Sequence, residues 1–558
     1  MIERTANVPA TWDVETDVVV VGSGAAGLTA ALTAADGGLA VTLLEADAKV
    51  GGTTAVSGGG VWIACNPHVD EVGVEDSPAE ALAYLRRLAR GAADEAILAA
   101  LVERGPEMVA FVEDRCAFSF EPYPTVGPTL DYRPDLAGAR HGGRPLDPGW
   151  FRLEDLGEWA GRLRRSTTAS WTIKKADYYT KRMYLGRSQL PDIPLRRSDE
   201  GYIGGGAALV ARLLRGCLDR TVGVATATRV ADLVVDEGTV VGLWAESAAG
   251  RRSIRSRHGV VLATGGYEWN EELKRRFLRQ PLTHPASPPT ARGDGLVLGM
   301  AVGAALANLG DAWWTPTVET GDDFEGRPLS IMSRAERCLP HSLMVNRAGR
   351  RFVNEATNYY DICDEFARID AATGDFSNVP AWLVFDDQFR ERYPLLETAS
   401  DGIASDGSVP YWLRRAGDLP GLAEAAGIEA KEFVATVERF NHFAAEGTDP
   451  DFCRGTSRWD REWGDPNHRP NPSLGPLVRP PFYAVRLEPG ALGTKGGLRV
   501  DDAGRVLHAT GSFIPGLYAA GNVAACSVPH GYCGPGATLG PAMTFGYIIG
   551  RSLLGDRA

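Results

Sequence analysis

Residues 17–32, DVVVVGSGAAGLTAAL, constrain the fold more than any other stretch of the chain. The β-branched start predicts a short buried strand from Asp17 to Gly22, and Leu28 onward predicts a helix. Between the two, residues 22–27 fit the pattern G-x-G-x-x-G. This order of strand, glycine turn and helix is typical of a dinucleotide-binding site in an α/β fold.

Each glycine of the turn has a physical function. Gly22 allows the tight turn, Gly24 lets backbone N–H groups approach a pyrophosphate, and Gly27 lets the helix pack against the strand. The N–H groups and the positive end of the helix dipole favour the anion. A second predicted strand, Val41–Glu45, places its acidic residue about 20 positions after the turn, where a ribose hydroxyl binds. The alternative is a glycine-rich turn in an unrelated α/β protein.

Residues 49–64, KVGGTTAVSGGGVWIA, form a loop where a nicotinamide enzyme would normally enter its next helix. The loop resembles the second flavin-contact loop of FAD proteins, so we expect FAD, with the loop's hydroxyl and N–H groups reaching the pyrophosphate and the edge of the ring. The loop has no His or Cys at its centre, which predicts that the flavin is held non-covalently. A plain Gly/Ser loop is the alternative.

Two later stretches predict further parts of the same site. Residues 258–270 predict an apolar strand that ends in Thr264-Gly265-Gly266. Residues 516–550 predict a strand that meets Gly521-Asn522, followed by a last helix that begins near Thr538. The N-terminus of that helix is expected to lie against the flavin's pyrimidine edge, where it favours negative charge.

A change of composition near residue 305 predicts a second domain inserted in the first. The segment 305–486 is rich in aromatic and charged residues, whereas 1–304 and 487–558 carry the nucleotide-binding patterns. The predicted fold class is α/β: a Rossmann-like FAD-binding domain of the glutathione-reductase type with an inserted α+β catalytic domain. Residues 78–118 predict helices broken near Gly91 and at Gly105-Pro106. A meander is predicted from the strands Gly223–Ala227, Val230–Val235 and Val240–Ala245.

Charge and cysteine content exclude several classes of protein. The net charge is −13 and the pI is near 5.3, which argues against a nucleic-acid partner. The eight cysteines are scattered and contain no C-x-x-C, so we expect no metal site, no disulfide framework and a cytoplasmic location. No apolar run of about 18 residues predicts a membrane span, and the first 13 residues lack a signal pattern.

The segment 171–186, WTIKKADYYTKRMYLG, mixes basic and aromatic residues. A surface helix that touches a membrane, or a cover over a pocket, would both have this composition. A solvent-exposed surface segment that packs only its aromatic face on the protein is the simpler interpretation.

The chain resembles the flavoprotein family of fumarate reductases and 3-ketosteroid dehydrogenases. The three nucleotide segments 17–60, 258–270 and 516–550 carry the general resemblance. Residues 532–536, Tyr-Cys-Gly-Pro-Gly, are similar to the Y-P-G-x-G loop of 3-ketosteroid Δ1-dehydrogenases, and 354–359 are similar to their N-E-S-x-P-Y. The pair Asp131-Tyr132 resembles their D-Y-Y. Cys533, Asn358 and Arg133 are among the departures from these motifs.

Two features weaken a dicarboxylate-reductase assignment within this family. The stretch 530–540, HGYCGPGATLG, has no Arg, and residues 492–497, LGTKGG, have Lys where those reductases carry a His-containing segment. Arg350, Arg351 and Glu355 would be catalytic in a reductase, and a structural charge cluster is the alternative.

The resemblance implies a reaction in which a C1–C2 double bond is introduced beside the carbonyl of a 3-oxosteroid. The Tyr532 hydroxyl and the Gly536 N–H would form an oxyanion hole for the carbonyl oxygen. Tyr359 would remove the α-proton, helped by a hydrogen bond from Tyr132, and the flavin would accept the hydride. Tyr360 is the rival of Tyr359, and Tyr123 is the rival of Tyr132.

The resemblance also implies which residues contact FAD. They are Gly22, Ser23, Gly24, Ala26, Gly27, Glu45, Ala46, Gly52, Thr53, Thr54, Ser57, Gly58, Gly59, Val230, Ala263, Thr264, Gly265, Asp294, Gly521, Asn522, Ala537, Thr538 and Leu539. The expected partners are a small apolar ketosteroid and an electron acceptor that the sequence does not identify.

Three alternative functions stay open at this point. A fumarate- or urocanate-reductase-like flavoprotein would act on an unsaturated acid. A 5α-3-ketosteroid Δ4-dehydrogenase would act on the other side of the carbonyl. A flavoprotein scaffold or electron carrier would keep the fold without the pocket.

Overall fold

The computed structural model describes residues 8–166, 173–180, 182–186, 200–396, 402–403 and 407–555. The opening strand, Val14–Val21, lies in the middle of a sheet that has eight strands among these residues. It pairs in parallel with Val41–Leu44 on one side and with Gly250–Leu262 on the other. Its last four valines are buried, as the apolar run predicts for a parallel strand covered on both faces.

The strand order places five parallel strands side by side. Across the sheet the order is Arg505–Leu507, Phe513–Ala519, Gly250–Leu262, Val14–Val21, Val41–Leu44 and Gly223–Ala225, with Arg229–Asp236 and Thr239–Ser247 added as an antiparallel hairpin on Gly250–Leu262. Phe513–Ala519 pairs in parallel with Gly250–Leu262, so the carboxyl ends of these central strands meet at one edge.

The predicted meander is wrong in its first strand. Gly223–Ala225 leaves the hairpin and pairs in parallel with Val41–Leu44 at the sheet edge. The helix Gly205–Asp219 precedes this strand and supplies the crossover that a parallel neighbour requires. The other two predicted strands pair antiparallel as expected.

A second sheet is antiparallel and has six strands among the described residues. Its members are Ala312–Phe324, Arg327–Met332, Ser342–Asn346, Ala381–Asp386, Leu413–Ala416 and Phe482–Thr494. Phe482–Thr494 is central and pairs with three of them. This strand runs across the predicted boundary at residue 486, and the domain boundaries stay a prediction.

The remaining elements surround the two sheets. Small pairings join Val61–Trp62, Glu121–Pro122 and Pro145–Asp147, Phe151–Arg152 with Tyr202–Ile203, and Leu306–Ala307 with Gly497–Leu498. The α-helices are Ala25–Asp36, Gly52–Val56, Pro78–Ala89, Glu95–Cys116, Lys175–Thr180, Gly205–Asp219, Glu271–Phe277, Asp294–Ala301, Asp387–Arg392, Leu419–Ala426, Ala430–Glu446, Arg458–Trp463 and Leu539–Leu553. Short 3-10 segments are Val69–Val72, Leu153–Arg162, Met183–Leu185, Glu336–Cys338, Asp361–Ala367 and Gly521–Val523.

The helix Glu95–Cys116 corrects one predicted break. The chain does break near Gly91, but it runs helically through Gly105 and Pro106. Leu98 and Leu101 before the proline and Met108 and Val112 after it are all buried. Packing of one continuous apolar face on both sides of the proline outweighs the hydrogen bond that its ring removes.

The eight cysteines are all free thiols. Across the part of the chain that the structure describes, no helix combines the length and apolarity that crossing a bilayer requires.

Candidate active site

A long cavity of about 340 Å³ opens where the central parallel strands end. Gly22, Glu45, Ala263 and Gly521 each follow within two residues of the end of such a strand, and all four line the cavity. Open α/β sheets bind ligands at this carboxyl edge. The second sheet closes the cavity from the other side through residues of the strand Arg327–Met332.

Nearly all predicted flavin-contacting residues lie in this cavity wall. The lining residues among them are Gly22, Ser23, Gly24, Ala26, Glu45, Ala46, Gly52, Thr53, Thr54, Ser57, Gly58, Gly59, Val230, Ala263, Thr264, Gly265, Asp294, Gly521, Asn522, Thr538 and Leu539. Gly27 and Ala537 are the two that do not line it. A Cβ on Gly27 would lie 2.0 Å from the Gly22 carbonyl oxygen, which is the close helix–strand contact its position predicts. Ala537 lines a small adjoining pocket together with Thr538.

The cavity wall fits the phosphate and ribose parts of FAD. The helices Ala25–Asp36 and Leu539–Leu553 both begin at it, and in neither does the side chain of the N-cap residue accept a hydrogen bond from the helix. The Ala25 N–H donates instead to Thr54 Oγ1 at 3.0 Å, which ties the helix to the second glycine-rich loop. The positive ends of the two helix dipoles favour the anionic pyrophosphate and the electron-rich edge of a flavin. Gly22 has φ +107°, and a Cβ there would lie 2.3 Å from the Ala263 carbonyl oxygen, so only glycine can make this turn.

Two carboxylates lie at the ribose end of the predicted site. Glu45 accepts hydrogen bonds from the Ser23 N–H at 3.0 Å and the Ser23 hydroxyl at 2.5 Å. Asp294 forms a bidentate pair with Arg229, with N···O distances of 2.6 and 2.8 Å. Glu45 is held in position beside the glycine turn, where a ribose hydroxyl would reach it.

Three tyrosines converge at the other end of the cavity. The Tyr132 and Tyr359 hydroxyl oxygens lie 2.6 Å apart. The Tyr532 ring packs on both, with centroid distances of 4.9 Å to Tyr132 and 5.7 Å to Tyr359. All three side chains are buried and line the cavity. The fold therefore brings together hydroxyls that are 400 positions apart between the first and the last.

The two rival tyrosines occupy different places. Tyr123 lines the cavity and packs on Tyr179, at a centroid distance of 5.5 Å. Tyr360 points away: its hydroxyl donates to Asp311 at 2.6 Å, and it is absent from the cavity wall. The geometry therefore favours Tyr359 over Tyr360 as the residue that reaches a ligand.

Gly536 lines the same cavity as the three tyrosines. The residue has φ +91°, and a Cβ would lie 2.5 Å from the Gly60 carbonyl. Its own carbonyl accepts a hydrogen bond from the Trp62 N–H at 3.1 Å, and its N–H donates to no protein acceptor among the described residues. An N–H that is fixed by its neighbours and unused by the protein can donate to a ligand oxygen.

Buried anchors hold the Tyr132 and Tyr532 segments together. Asp131 accepts from Trp62 Nε1 at 2.8 Å and from Arg144 at 2.7 Å. The Cys533 carbonyl accepts from the Tyr132 N–H at 3.0 Å. Asp131 is thus a positioning group, because its bonds fix the backbone that presents Tyr132.

Arg133 and Asn358, two residues that differ from the 3-ketosteroid dehydrogenase motifs, both contact one carboxylate. Arg133 lies 2.6 Å from Asp361, and the Asn358 amide donates to the same carboxylate. Asn358 also donates to the Tyr132 carbonyl at 3.3 Å. The two departures therefore join the segment of Tyr132 to the segment of Tyr359.

Comparison with known proteins agrees with this geometry. The model of a family described as "FAD binding domain" matches residues 17–539. The chain belongs to this FAD-binding family. The flavoprotein is 42% identical over 553 residues to 4-oxocyclohexanecarboxylate 2-dehydrogenase of Sinomonas cyclohexanicum, covering 97% of this chain and 93% of the relative. It is 39% identical over 571 residues to 3-oxosteroid 1-dehydrogenase of Mycolicibacterium smegmatis, covering 98% of each chain.

A solved structure has the same fold. The crystal structure of 3-ketosteroid delta1-dehydrogenase from Sterolibacterium denitrificans in complex with 1,4-androstadiene-3,17-dione superposes with a TM-score of 0.89 at 33% identity. The match covers 97% of the flavoprotein and 100% of that chain. The predicted fold class and the predicted cofactor, FAD, are confirmed; the individual roles of the site residues stay predictions.

Burial dominates the electrostatics of the tyrosines in the flavoprotein. It raises the pKa of Tyr132, Tyr359 and Tyr532 well above that of an ordinary phenol. For Tyr359 the nearby Tyr132 raises the pKa further, whereas the Tyr532 hydroxyl and the charge of Arg334 lower it. Tyr132 therefore does not lower the pKa of Tyr359 as expected; the hydroxyl that lowers it is that of Tyr532, and Tyr359 is a neutral phenol near pH 7.

Arg350, Arg351 and Glu355 lie outside the cavity. Arg351 pairs with Glu355 at 2.7 Å and with Asp449 at 2.8 Å, all buried in the second-sheet region. Arg350 pairs with Glu432 at the surface. These residues form the structural charge cluster, and the geometry gives them no access to a ligand.

Sequence reasoning did not single out several residues of the cavity wall, among them Lys175, Tyr179 and Arg334. The first two lie in the segment 171–186, of which 171, 172 and 181 lie outside the described residues. Tyr178, Tyr179 and Lys175 are buried there, so the described part of the segment packs its aromatic face as expected, and Lys175 and Tyr179 form part of the cavity wall. The mixture of basic and aromatic residues in this segment was the sequence feature that could have indicated a contribution to the cavity wall.

Proposed function

We propose that this flavoprotein oxidises a cyclic ketone by introducing a double bond beside the carbonyl group, with a 3-oxosteroid as substrate and a C1–C2 double bond in the product. The protein would hold the ketone at the tyrosine end of the cavity and FAD along the carboxyl edge of the first sheet. Bound FAD supplies the hydride acceptor. The relatives named 3-oxosteroid 1-dehydrogenase support this substrate class.

Different residues of the chain would stabilise the carbonyl oxygen of the ketone and remove its α-proton. The Tyr532 hydroxyl and the Gly536 N–H would donate to the carbonyl oxygen, stabilising the negative charge that develops there. Tyr359 would take the α-proton, with Tyr132 donating to the resulting phenolate oxygen. The buried aromatic wall would exclude water, which strengthens each of these interactions.

The single observation that supports this assignment most is the 2.6 Å contact between the Tyr132 and Tyr359 hydroxyls. Two phenols this close, buried in a cavity wall shared with the cofactor-binding loops, can pass a proton between oxygens. No carboxylate or guanidinium of the predicted reductase cluster lies there, so a fumarate-reductase-like reaction is not favoured.

Anaerobic titration with 4-androstene-3,17-dione tests the proposal. The visible flavin absorbance should bleach as the steroid is oxidised, and an artificial electron acceptor should restore it. NMR should place the new double bond between C1 and C2. A holoenzyme whose flavin stays oxidised with every cyclic ketone offered would refute the proposal. A holoenzyme that oxidises 5α-androstane-3,17-dione to the Δ4 product, but does not oxidise 4-androstene-3,17-dione, would replace the proposal by a Δ4-dehydrogenase activity.

A second candidate substrate is a small cyclohexanone that carries a carboxylate. The relative named 4-oxocyclohexanecarboxylate 2-dehydrogenase suggests it, and the cations in the cavity wall favour it. The Arg334 guanidinium lies over the rings of Tyr178 and Trp463, at 5.8 and 5.4 Å from their centroids. It also donates to the Tyr179 hydroxyl at 3.5 Å. A cation held this way beside the tyrosines suits a carboxylate better than a neutral steroid.

The two substrates are separated by their specificity constants. If the carboxylated cyclohexanone is the substrate, Arg334→Gln should lower its kcat/KM about ten- to hundredfold, since one charged hydrogen bond is lost. The same change should leave kcat/KM for unsubstituted cyclohexanone within a few fold. A higher kcat/KM for the steroid, unaffected by this substitution, would select the first candidate.

A further inference from the structure

Lys495 is a buried cation directly behind the candidate oxyanion loop. Its side chain is inaccessible to solvent, and its ammonium donates to the Gly531 carbonyl at 2.8 Å and to the Tyr360 hydroxyl at 3.1 Å. The carboxylate of Asp311 lies 3.7 Å away. Burying an ammonium is costly unless it is paired and hydrogen-bonded, and these three oxygens meet that requirement.

Two aromatic rings complete the surroundings of this cation. The Lys495 ammonium lies 4.6 Å from the Trp313 ring centroid and 4.5 Å from the Tyr360 centroid. Both rings in turn pack on Tyr532, with centroid distances of 4.8 Å and 5.9 Å. The cation thus supports the two rings that form the back wall of Tyr532.

Each partner of Lys495 belongs to a segment that carries a different part of the site. Gly531 directly precedes Tyr532, and Tyr360 directly follows Tyr359. Trp313 donates through Nε1 to the Asn522 side-chain oxygen at 3.1 Å, and Asn522 lines the cofactor part of the cavity. A single ammonium group therefore links the segments of the oxyanion donor, the base and the cofactor.

We propose that Lys495 is a positioning residue for the dehydrogenation: its ammonium group fixes Tyr532 relative to Tyr359. This inference rests on the proposed function for its kinetic consequences. Its geometric part does not, because the bonds to Gly531 and Tyr360 exist whichever ketone binds.

The test compares Lys495→Met with Lys274→Met. Lys274 is a matched control: it is also buried and donates to a backbone carbonyl, that of Leu282 at 2.9 Å, but it lies outside the cavity wall. In Lys495→Met, kcat should fall about 100-fold with KM within a few fold, since a misplacement of about 1 Å costs that much. Lys274→Met should keep the wild-type kcat.

Hydrogen–deuterium exchange of the same holoenzymes supplies a readout that needs no substrate. Peptides covering 529–537 and 357–362 should exchange about tenfold faster in Lys495→Met, because local opening becomes easier, and not in Lys274→Met. Wild-type kcat together with unchanged exchange in Lys495→Met would overturn the proposal.

Two further outcomes remain informative. If Lys495→Met does not fold, the same two measurements are made on Lys495→Gln, whose side-chain amide donates hydrogen bonds without carrying a charge. The same results then support or overturn the proposal. If the wild-type flavin is not reduced by any ketone, the proposed function fails, whereas the exchange experiment still decides whether Lys495 fixes the two segments.

Discussion

The Arg133 guanidinium lies 2.6 Å from the Asp361 carboxylate, and this pair joins the backbone of Tyr132 to that of Tyr359. Arg133 is half exposed, with 46% of its side chain accessible, so solvent screens the pair. We expect a coupling free energy of about 0.5–1 kcal/mol for unfolding in a double-mutant cycle of Arg133→Ala and Asp361→Asn. A cycle on the surface pair Arg439–Asp451, neither of which lines the cavity, is the control for general charge effects. Only the Arg133–Asp361 variants should also lower kcat, because only that pair joins the segments of the tyrosines. Equal kcat losses from both cycles would contradict a link to the tyrosines.

Removing the Tyr359 hydroxyl should abolish most of the turnover. Tyr359→Phe is expected to lower kcat by about 10²–10⁴-fold, the usual contribution of a general base, while FAD stays bound. Steady-state kinetics and the flavin spectrum measure the two effects. Tyr393→Phe, which removes a buried hydroxyl that bonds Asp465 at 2.8 Å, should be nearly silent in kcat. Near-normal turnover of Tyr359→Phe would show that another group is the base.

The rate should rise with pH through the neutral and alkaline range. Burial raises the pKa of Tyr359, and an acid with a raised pKa stays protonated to higher pH, so the fraction of its basic form grows as pH increases. We expect log kcat/KM to rise with a slope near one to at least about pH 10, the ordinary pKa of a phenol. A profile that levels off near about pH 6.5, as a histidine base would give, would contradict the assignment.

Loss of the Tyr532 hydroxyl should affect kcat more than KM. An oxyanion donor acts mainly on charge that develops in the transition state, and its removal typically lowers kcat about 10²–10³-fold. Tyr532→Phe should therefore show that loss with KM within a few fold of wild type. Tyr184→Phe, whose buried hydroxyl donates to the Glu462 carbonyl at 2.9 Å, is the matched control. A change confined to KM would assign Tyr532 to ground-state binding only.

A side chain at Gly536 should damage both stability and catalysis. The new Cβ of Gly536→Ala would lie 2.5 Å from the Gly60 carbonyl at φ +91°, so the loop must move away from the cavity. Gly238→Ala is the control, because Gly238 has φ +80° but open space around it. We expect the control to cost about 1–2 kcal/mol of unfolding free energy, and Gly536→Ala to cost about 1–3 kcal/mol more with a large loss of kcat. Equal costs for both variants would show that the loop accommodates the methyl group.

Local patterns were sufficient for much of the fold. The strand–glycine–helix order at residues 17–32 and the small-residue loops after 49 and 520 predicted the residues that line the cofactor-binding part of the cavity. They succeeded because a phosphate-binding turn requires particular residue types at fixed spacing. Where packing competes with local preference the patterns failed: Pro106 lies inside a helix, and Gly223–Ala225 pairs at the sheet edge.

The sequence by itself determined the dinucleotide fold, the cofactor class and the candidate tyrosines, since each is encoded in a short contiguous motif. Only the tertiary structure decided that Tyr132, Tyr359 and Tyr532 share one wall, that Tyr360 faces Asp311, and that Lys495 lies behind the loop. Those relationships join segments separated by hundreds of residues. They arise from burial and from pairing of polar groups in a low-dielectric interior, and no local pattern records which distant partners meet there.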